Sequence, residues 1–143
     1  MIKEVIQGNI FDSTCQAITN TVNCVGVMGA GLALQFARKY PDYLSAYKFM
    51  TLQPGDVWYY TTTKERRNII SIATKDNWKN PSKLEWIDEA LKQLGGLIER
   101  KKLKSIALPK IGCGLGGLDW HVVYPKIRDF AAKYPDLLIE IYL

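Results

Sequence analysis

The chain has 143 residues, a formal net charge of +5 and 48% hydrophobic residues, the profile of one soluble globular domain with a single sizeable core. No apolar run approaches the roughly 20 residues of a membrane span, and Met1-Ile2-Lys3-Glu4 brings in an acidic residue early, which argues against a signal peptide. Three cysteines, Cys15, Cys24 and Cys113, hold no C-x-x-C pair, which argues against a zinc site and for a reducing cytoplasm.

Ile2 to Ile6 reads as a strand ended by Gln7-Gly8-Asn9, and Ala17 to Val22, rich in β-branched residues, as a second. A glycine-rich loop follows, Gly26-Val27-Met28-Gly29-Ala30-Gly31, and leads into a helix over Leu32 to Lys39 that stops before Pro41. Its Leu32, Ala33, Leu34, Phe36 and Ala37 predict deep burial. Asp42 to Met50 carries Tyr43 and Tyr47 at helical spacing, a core stripe rather than a stacking platform. Pro54-Gly55-Asp56 is a turn. Val57 to Thr62 is a strand, Lys64 to Asn68 a charged connection, and Asn68 to Thr74 a central strand buried on both faces. Ser82 with Glu85 three residues on makes a capping box for a helix over Lys83 to Lys102. Leu84, Ile87, Leu91, Leu94 and Ile98 give that helix an amphipathic core face, and Gly95-Gly96 loosens it. Ser105 to Leu108 is a short buried strand before a second glycine-rich loop, Gly112-Cys113-Gly114-Leu115-Gly116-Gly117. Asp119 caps a helix that runs to Lys133, and Leu137 to Leu143 is the last strand.

The alternation of strands and helices predicts an α/β fold with a mixed sheet between helices. Ligands in such sheets bind beyond the carboxyl ends of the strands. Asn9, the first glycine loop, Lys75 and the second glycine loop each follow a strand, so parallel strands would gather all four on one rim. Glycines let a backbone approach a ligand and turn its N–H groups inward, and a helix start adds the positive end of its dipole. Two such loops point to a cleft that grips a diphosphate. The Walker pattern is excluded, because Leu32-Ala33 follows Gly31. Gly112-x-Gly114-x-x-Gly117 matches the dinucleotide fingerprint, but one strand alone remains after it. Lys75 ends an apolar strand at the rim, where partial desolvation frees an amine for chemistry. Trp78 either stacks on a nucleobase or serves as a lid or core aromatic. Cys24 and Cys113 read as small residues near the ligand rather than thiolates, and His121 as a surface residue rather than a base.

The stretch from Ala17 to Gly31, Ala-Ile-Thr-Asn-Thr-Val-Asn-Cys-Val-Gly-Val-Met-Gly-Ala-Gly, resembles the signature of macrodomains, as does Leu108-Pro109-Lys110-Ile111 with the second glycine loop and Leu118-Asp119-Trp120. The resemblance covers residues 1–143 and implies a single macrodomain, three-layer α/β/α with a mixed central sheet, that binds ADP-ribose at the strand ends. On Val27 to Gly31, Ala33-Leu34-Gln35-Phe36 and Thr74-Lys75, the chain is similar to the branch holding DarG-type DNA ADP-ribosyl glycohydrolases and the terminal ADP-ribose protein glycohydrolase.

The resemblance implies a role for each site residue. Asn9 stands where the family usually has aspartate and accepts from the adenine amino group, or else forms only a Gly-Asn turn; Ile10 packs beside the adenine. Asn23 bonds a hydroxyl of the distal ribose or ties down its loop. Gly29, Ala30 and Gly31 present N–H groups to one phosphate, with Val27, Met28 and Leu32 alongside. Gly114, Leu115, Gly116 and Gly117 cradle the other phosphate and the distal ribose, with Pro109, Gly112 and Cys113 alongside. Lys75 is the implied catalytic residue at the anomeric carbon, as a nucleophile through a covalent sugar adduct or as a cation that stabilises developing charge. The protein glycohydrolase branch carries an aspartate in the second loop where this chain has Gly116, so the resemblance implies removal of ADP-ribose from DNA foremost. The competing readings are an ADP-ribose-1″-phosphate phosphatase and a non-catalytic binding module. The expectation is a cytoplasmic monomer without metal, cofactor or membrane contact. Its partners are ADP-ribose or an ADP-ribosylated substrate, single-stranded DNA included.

Overall fold

A computed structural model describes residues 1–143. The elements in chain order are β1 (Ile2–Val5), β2 (Ala17–Asn23), α1 (Gly31–Lys39), α2 (Pro41–Lys48), β3 (Val57–Thr61), β4 (Asn68–Lys75), α3 (Leu84–Lys101), β5 (Ser105–Leu108), α4 (Trp120–Lys133) and β6 (Leu138–Tyr142). The strands form one six-stranded sheet in the order β1-β6-β5-β2-β4-β3. Five strands run parallel, and β3 pairs antiparallel with β4 at one edge. No helix is long and apolar enough to cross a membrane.

Alternate strand residues feed two cores. Ile70 and Ile72 of β4 join Ile106 of β5 and Ile139 of β6 under Ile87, Leu94 and Ile127 of α3 and α4. Ile18 and Val22 of β2 and Ile69 and Ala73 of β4 join Phe36, Tyr43 and Tyr47 of α1 and α2 on the other face. The period-2 alternation of a strand therefore makes a three-layer α/β/α sandwich. Each fully buried Ile or Leu contributes about 1.5–3 kcal/mol. The Tyr43 and Tyr47 stripe is core, at 0% and 2% exposure. Both hydroxyls have partners: Tyr43 bonds Asn20 Nδ2 at 3.1 Å and Ser71 Oγ, and Tyr47 reaches Asn23, as buried phenols require.

Four expectations need correction. First, β1 ends at Val5, and Ile6 stands 75% exposed in the following loop. Second, α1 buries only Phe36 and Ala37, because Leu32 and Ala33 face a cleft. Third, the capping box over Ser82 does not form. The helix starts at Leu84 with Lys83 at its cap position and no side-chain bond. The Ser82 N–H donates instead to Gly116 O at 2.9 Å, which ties residue 82 to the second glycine loop and takes its hydroxyl away from the helix end. Fourth, Gly95 does not loosen α3, which runs unbroken. A Cβ at Gly95 would lie 2.3 Å from Tyr134 Oη, so the glycine lets the chain after α4 approach closely.

Candidate functional site

The parallel strands bring the ends of β2, β4 and β5 to one rim, where a cleft of about 520 Å³ opens, within the range of small-ligand sites. Its walls are Thr21, Val22 and Asn23 of β2, Val27, Gly29 and Ala30 of the first loop, and Leu32 and Ala33 of α1. Thr74, Lys75 and Trp78 face them, with Gly112, Cys113, Leu115 and Gly116 of the second loop. The two glycine stretches thus wall a single cavity. They also touch: a Cβ at Gly31 would lie 3.3 Å from Leu115 Cδ1.

A change of register positions Lys75. Val22 pairs with Ala73, but Asn23 pairs with Lys75, so Thr74 is an extra residue at the end of β4. Such bulges re-aim the side chains that follow them. Here the bulge sets Lys75 beside Asn23. Lys75 is half-buried and the only charged side chain among the lining residues. The structure's one salt bridge joins Lys126 to Asp88 on the surface. The neighbouring carboxylate, Asp76, is absorbed by its own turn: its Oδ1 accepts from the Asn77 N–H at 2.6 Å and from Asn80 Nδ2 at 3.3 Å. No carboxylate lines the cleft, so it holds no acid–base pair of the Asp/Glu type.

Asn23 is 6% exposed and works as the lock of the first loop. Its Oδ1 accepts from the N–H groups of Val25 (3.1 Å) and Val27 (3.3 Å), and its Nδ2 donates to Val27 O at 2.7 Å. The Tyr47 hydroxyl lies 2.6 Å from the Asn23 carbonyl and 2.8 Å from its Oδ1. Two backbone donors against the oxygen and a carbonyl against the nitrogen fix the orientation of the amide. One Nδ2 hydrogen is left for a ligand.

The loops present different groups to the cleft. Ala30, the cap position of α1, gives no side-chain bond. The N–H groups of that first turn are therefore open to an anion at the positive end of the helix. The second loop forms a short 3₁₀ turn over Gly114–Gly116, and α4 begins only at Trp120, where Asp119 accepts from the His121 N–H at 2.9 Å. The end of α4 is thus occupied by its own carboxylate, and the second loop offers fewer N–H groups than expected, without a helix dipole. Those of Cys113, Gly116 and Gly117 bond Lys110 O, Cys113 O and Gly114 O within the turn, which leaves those of Gly114 and Leu115 of the expected four. Gly112 has φ +76°, and a Cβ there would meet Leu118 Cδ1 at 2.8 Å. At Gly116 a Cβ would lie 2.7 Å from Ser82 Oγ.

The remaining expected site residues lie outside the cavity wall. Met28 is buried, with Asn20 Nδ2 3.9 Å from its sulfur, and anchors the first loop in the core. Gly31 opens α1, and Pro109, Gly114 and Gly117 shape the second loop from beyond the wall. Asn9 is exposed, and its Oδ1 accepts from the Phe11 N–H at 3.0 Å, capping a 3₁₀ turn over Ile10–Asp12. Ile10 is buried among the residues under α1 and α2. Burial pushes the Cys24 thiol up to about 11, with Asp56 and Asp76 adding to it, and burial raises Cys113 as well. Neither is a thiolate at neutral pH, and His121 is exposed. Sequence reasoning missed Thr21, Val22, Ala33 and Thr74 as wall residues. Their one signal is position, in the last turns of strand or the first turn of helix beside each motif.

A family model for the Macro domain matches residues 19–127. The chain is 39% identical over 143 residues to a DNA ADP-ribosyl glycohydrolase of Thermus aquaticus, covering 96% of this chain and 40% of that protein. Among solved structures it resembles the macrodomain of Mycobacterium tuberculosis DarG, with TM-score 0.94 and 37% identity over 99% of this chain and 97% of that one. It also resembles Thermosipho africanus DarTG in complex with ADP-ribose, with TM-score 0.90 and 30% identity over 99% of this chain and 41% of that one. The chain spans about 40% of the length of the DNA ADP-ribosyl glycohydrolases it matches. On the matched model, the shared fold and the two glycine loops around one cleft, the chain belongs to the Macro domain family.

Proposed function

We propose that this chain binds ADP-ribose and hydrolyses its bond to a base of DNA, with Lys75 acting at the distal ribose. One observation carries this reading. Lys75 is the sole charged side chain in a cavity walled by two backbone-rich loops. Support comes from relatives named DNA ADP-ribosyl glycohydrolase and from the similar DarTG solved with ADP-ribose. The open N–H groups of α1 and those of Gly114 and Leu115 in the second loop hold the diphosphate. The adenosine end runs toward Asn9 and Ile10, and the distal ribose lies at the β4 bulge. Three free cysteines suit a reducing cytoplasm, and one chain supplies the whole wall, so a monomer suffices.

The chemistry needs only the amine and water. As nucleophile, Lys75 Nζ bonds C1″ as the bond from C1″ to the base breaks, and the base leaves with the electron pair and takes up a proton. Water then hydrolyses the amine–sugar adduct, which returns free Lys75 and ADP-ribose. As ammonium, Lys75 stabilises the negative charge on the departing base while water attacks C1″. Borohydride separates the two, because a covalent adduct opens to an imine that is reduced and retained on the protein.

The test is Lys75→Ala on ADP-ribosylated single-stranded DNA. Release is abolished while the affinity for ADP-ribose stays within roughly tenfold, about 1.4 kcal/mol. A variant as active as wild type removes Lys75 from the reaction. Faster release of phosphate from ADP-ribose-1″-phosphate makes the protein a phosphatase. Binding without either product makes it a reader.

A further inference from the structure

Of the four tryptophans, Trp78 alone stands exposed, at 54%. Trp58 stacks on Tyr43, Trp120 packs against Tyr124, and Trp86 is half-buried. An indole left in water forgoes the gain of burial, yet this one lies on the cavity wall with Lys75, three residues away. Its backbone is well fixed. Asp76 O accepts from the Cys24 N–H at 3.2 Å, which ties the segment to the end of β2. Asn77 Oδ1 accepts from the Lys79 N–H at 3.1 Å, and Asn77 O from the Asn80 N–H at 3.0 Å. Lys79 Nζ lies 5.2 Å from the centroid of the ring, so the indole carries a cation beside it, and exposed Lys83 follows four residues later.

We infer that Trp78 is the stacking wall for the base joined to ADP-ribose, with Lys79 set to meet the phosphate that flanks that base. The inference rests on the reading of the cleft as an ADP-ribosyl-DNA site and adds a subsite to it. A planar aromatic group at C1″ is what an indole at the mouth of the cleft can hold. An aliphatic protein side chain gains little from it. Every base has a π-face, so the contact tolerates sequence. The base must be unpaired to reach the indole, which sets single-stranded DNA as the substrate.

The experiment compares wild type, Trp78→Ala and Trp78→Phe on two ligands. One is free ADP-ribose, followed by calorimetry. The other is an ADP-ribosylated single-stranded oligonucleotide, followed by initial rates of release. Trp78→Ala keeps the affinity for ADP-ribose within about twofold and raises KM for the oligonucleotide roughly 5- to 150-fold, the range of one lost base stack. Trp78→Phe recovers most of that loss, because a smaller ring still stacks. An unchanged KM overturns the inference while the proposed function stands. An equal loss on both ligands also overturns it and assigns the indole to ADP-ribose itself. If wild type binds no ADP-ribose, both readings fall together.

Discussion

At the residue scale, Asn23 shows how a polar side chain on the cavity wall is committed first to the fold. Its carboxamide closes the first loop on itself and on Tyr47, and only one hydrogen stays free. Asn23→Leu leaves the part-buried N–H groups of Val25 and Val27 without that acceptor, while the Tyr47 hydroxyl keeps the carbonyl of residue 23. Each orphaned group costs about 1–3 kcal/mol, so the urea midpoint falls by the equivalent of about 2 kcal/mol or more, and affinity for ADP-ribose falls with it. The half-buried Cys24 thiol and the buried Tyr47 phenol nearby predict a pH dependence. Burial raises Cys24 from 9.0 to about 11 and Tyr47 from 10.0 to about 12. Both groups keep their protons in the folded chain over a range where the unfolded chain has lost them. The stability they contribute is complete below pH 9 and is lost as pH climbs through 11 and 12. Urea midpoints measured from pH 8 to 12 decline over that window, and Cys24→Ala declines less between 9 and 11.

At the scale of elements, the second glycine loop is seated on the lead-in to α3. The Ser82 N–H bonds Gly116 O, and its unpartnered hydroxyl occupies the place a Cβ at 116 would need. Gly116→Ala therefore pushes the loop off its seat and costs about 1–3 kcal/mol, as overpacking does. In a Ser82→Ala background the same change costs less than half as much, which a double-mutant cycle in thermal unfolding reads directly. This contact also shows where the sequence ran out. Ser82 and Glu85 carry the residue types of a capping box, and local preference said nothing of a loop more than thirty positions later that takes up residue 82. The bulge at Thr74 was hidden for a related reason. Register belongs to a pair of strands, and neither β2 nor β4 shows it alone. By contrast, Asp119 was legible as a cap and Tyr43 and Tyr47 as core, since each is decided by spacing within one helix. The site was legible as two loops and a lysine after strands. The lock formed by Asn23 and the reach of Leu115 to Gly31 depend on side-chain placement that no local pattern encodes.

At the scale of the molecule, five parallel strands gather the ends of distant segments on one rim, with helices on both faces to keep the rim rigid. A ligand that spans both loops cross-links parts of the chain far apart in sequence and binds only the folded state. At a concentration of 100 times its Kd, ADP-ribose adds about 2.7 kcal/mol to stability, and the midpoint of thermal unfolding rises by several degrees. Inorganic phosphate, which engages one loop at a time, gives a smaller rise at equal concentration.

The central claim is that the two loops close on a single diphosphate that carries a ribose on each side. Calorimetric titration of the wild-type chain with ADP-ribose tests it most directly. The account predicts one site per chain and a Kd well below roughly 1 mM, which is stronger than about 4.1 kcal/mol. Absence of heat at millimolar ADP-ribose, in protein shown to be folded, would contradict it.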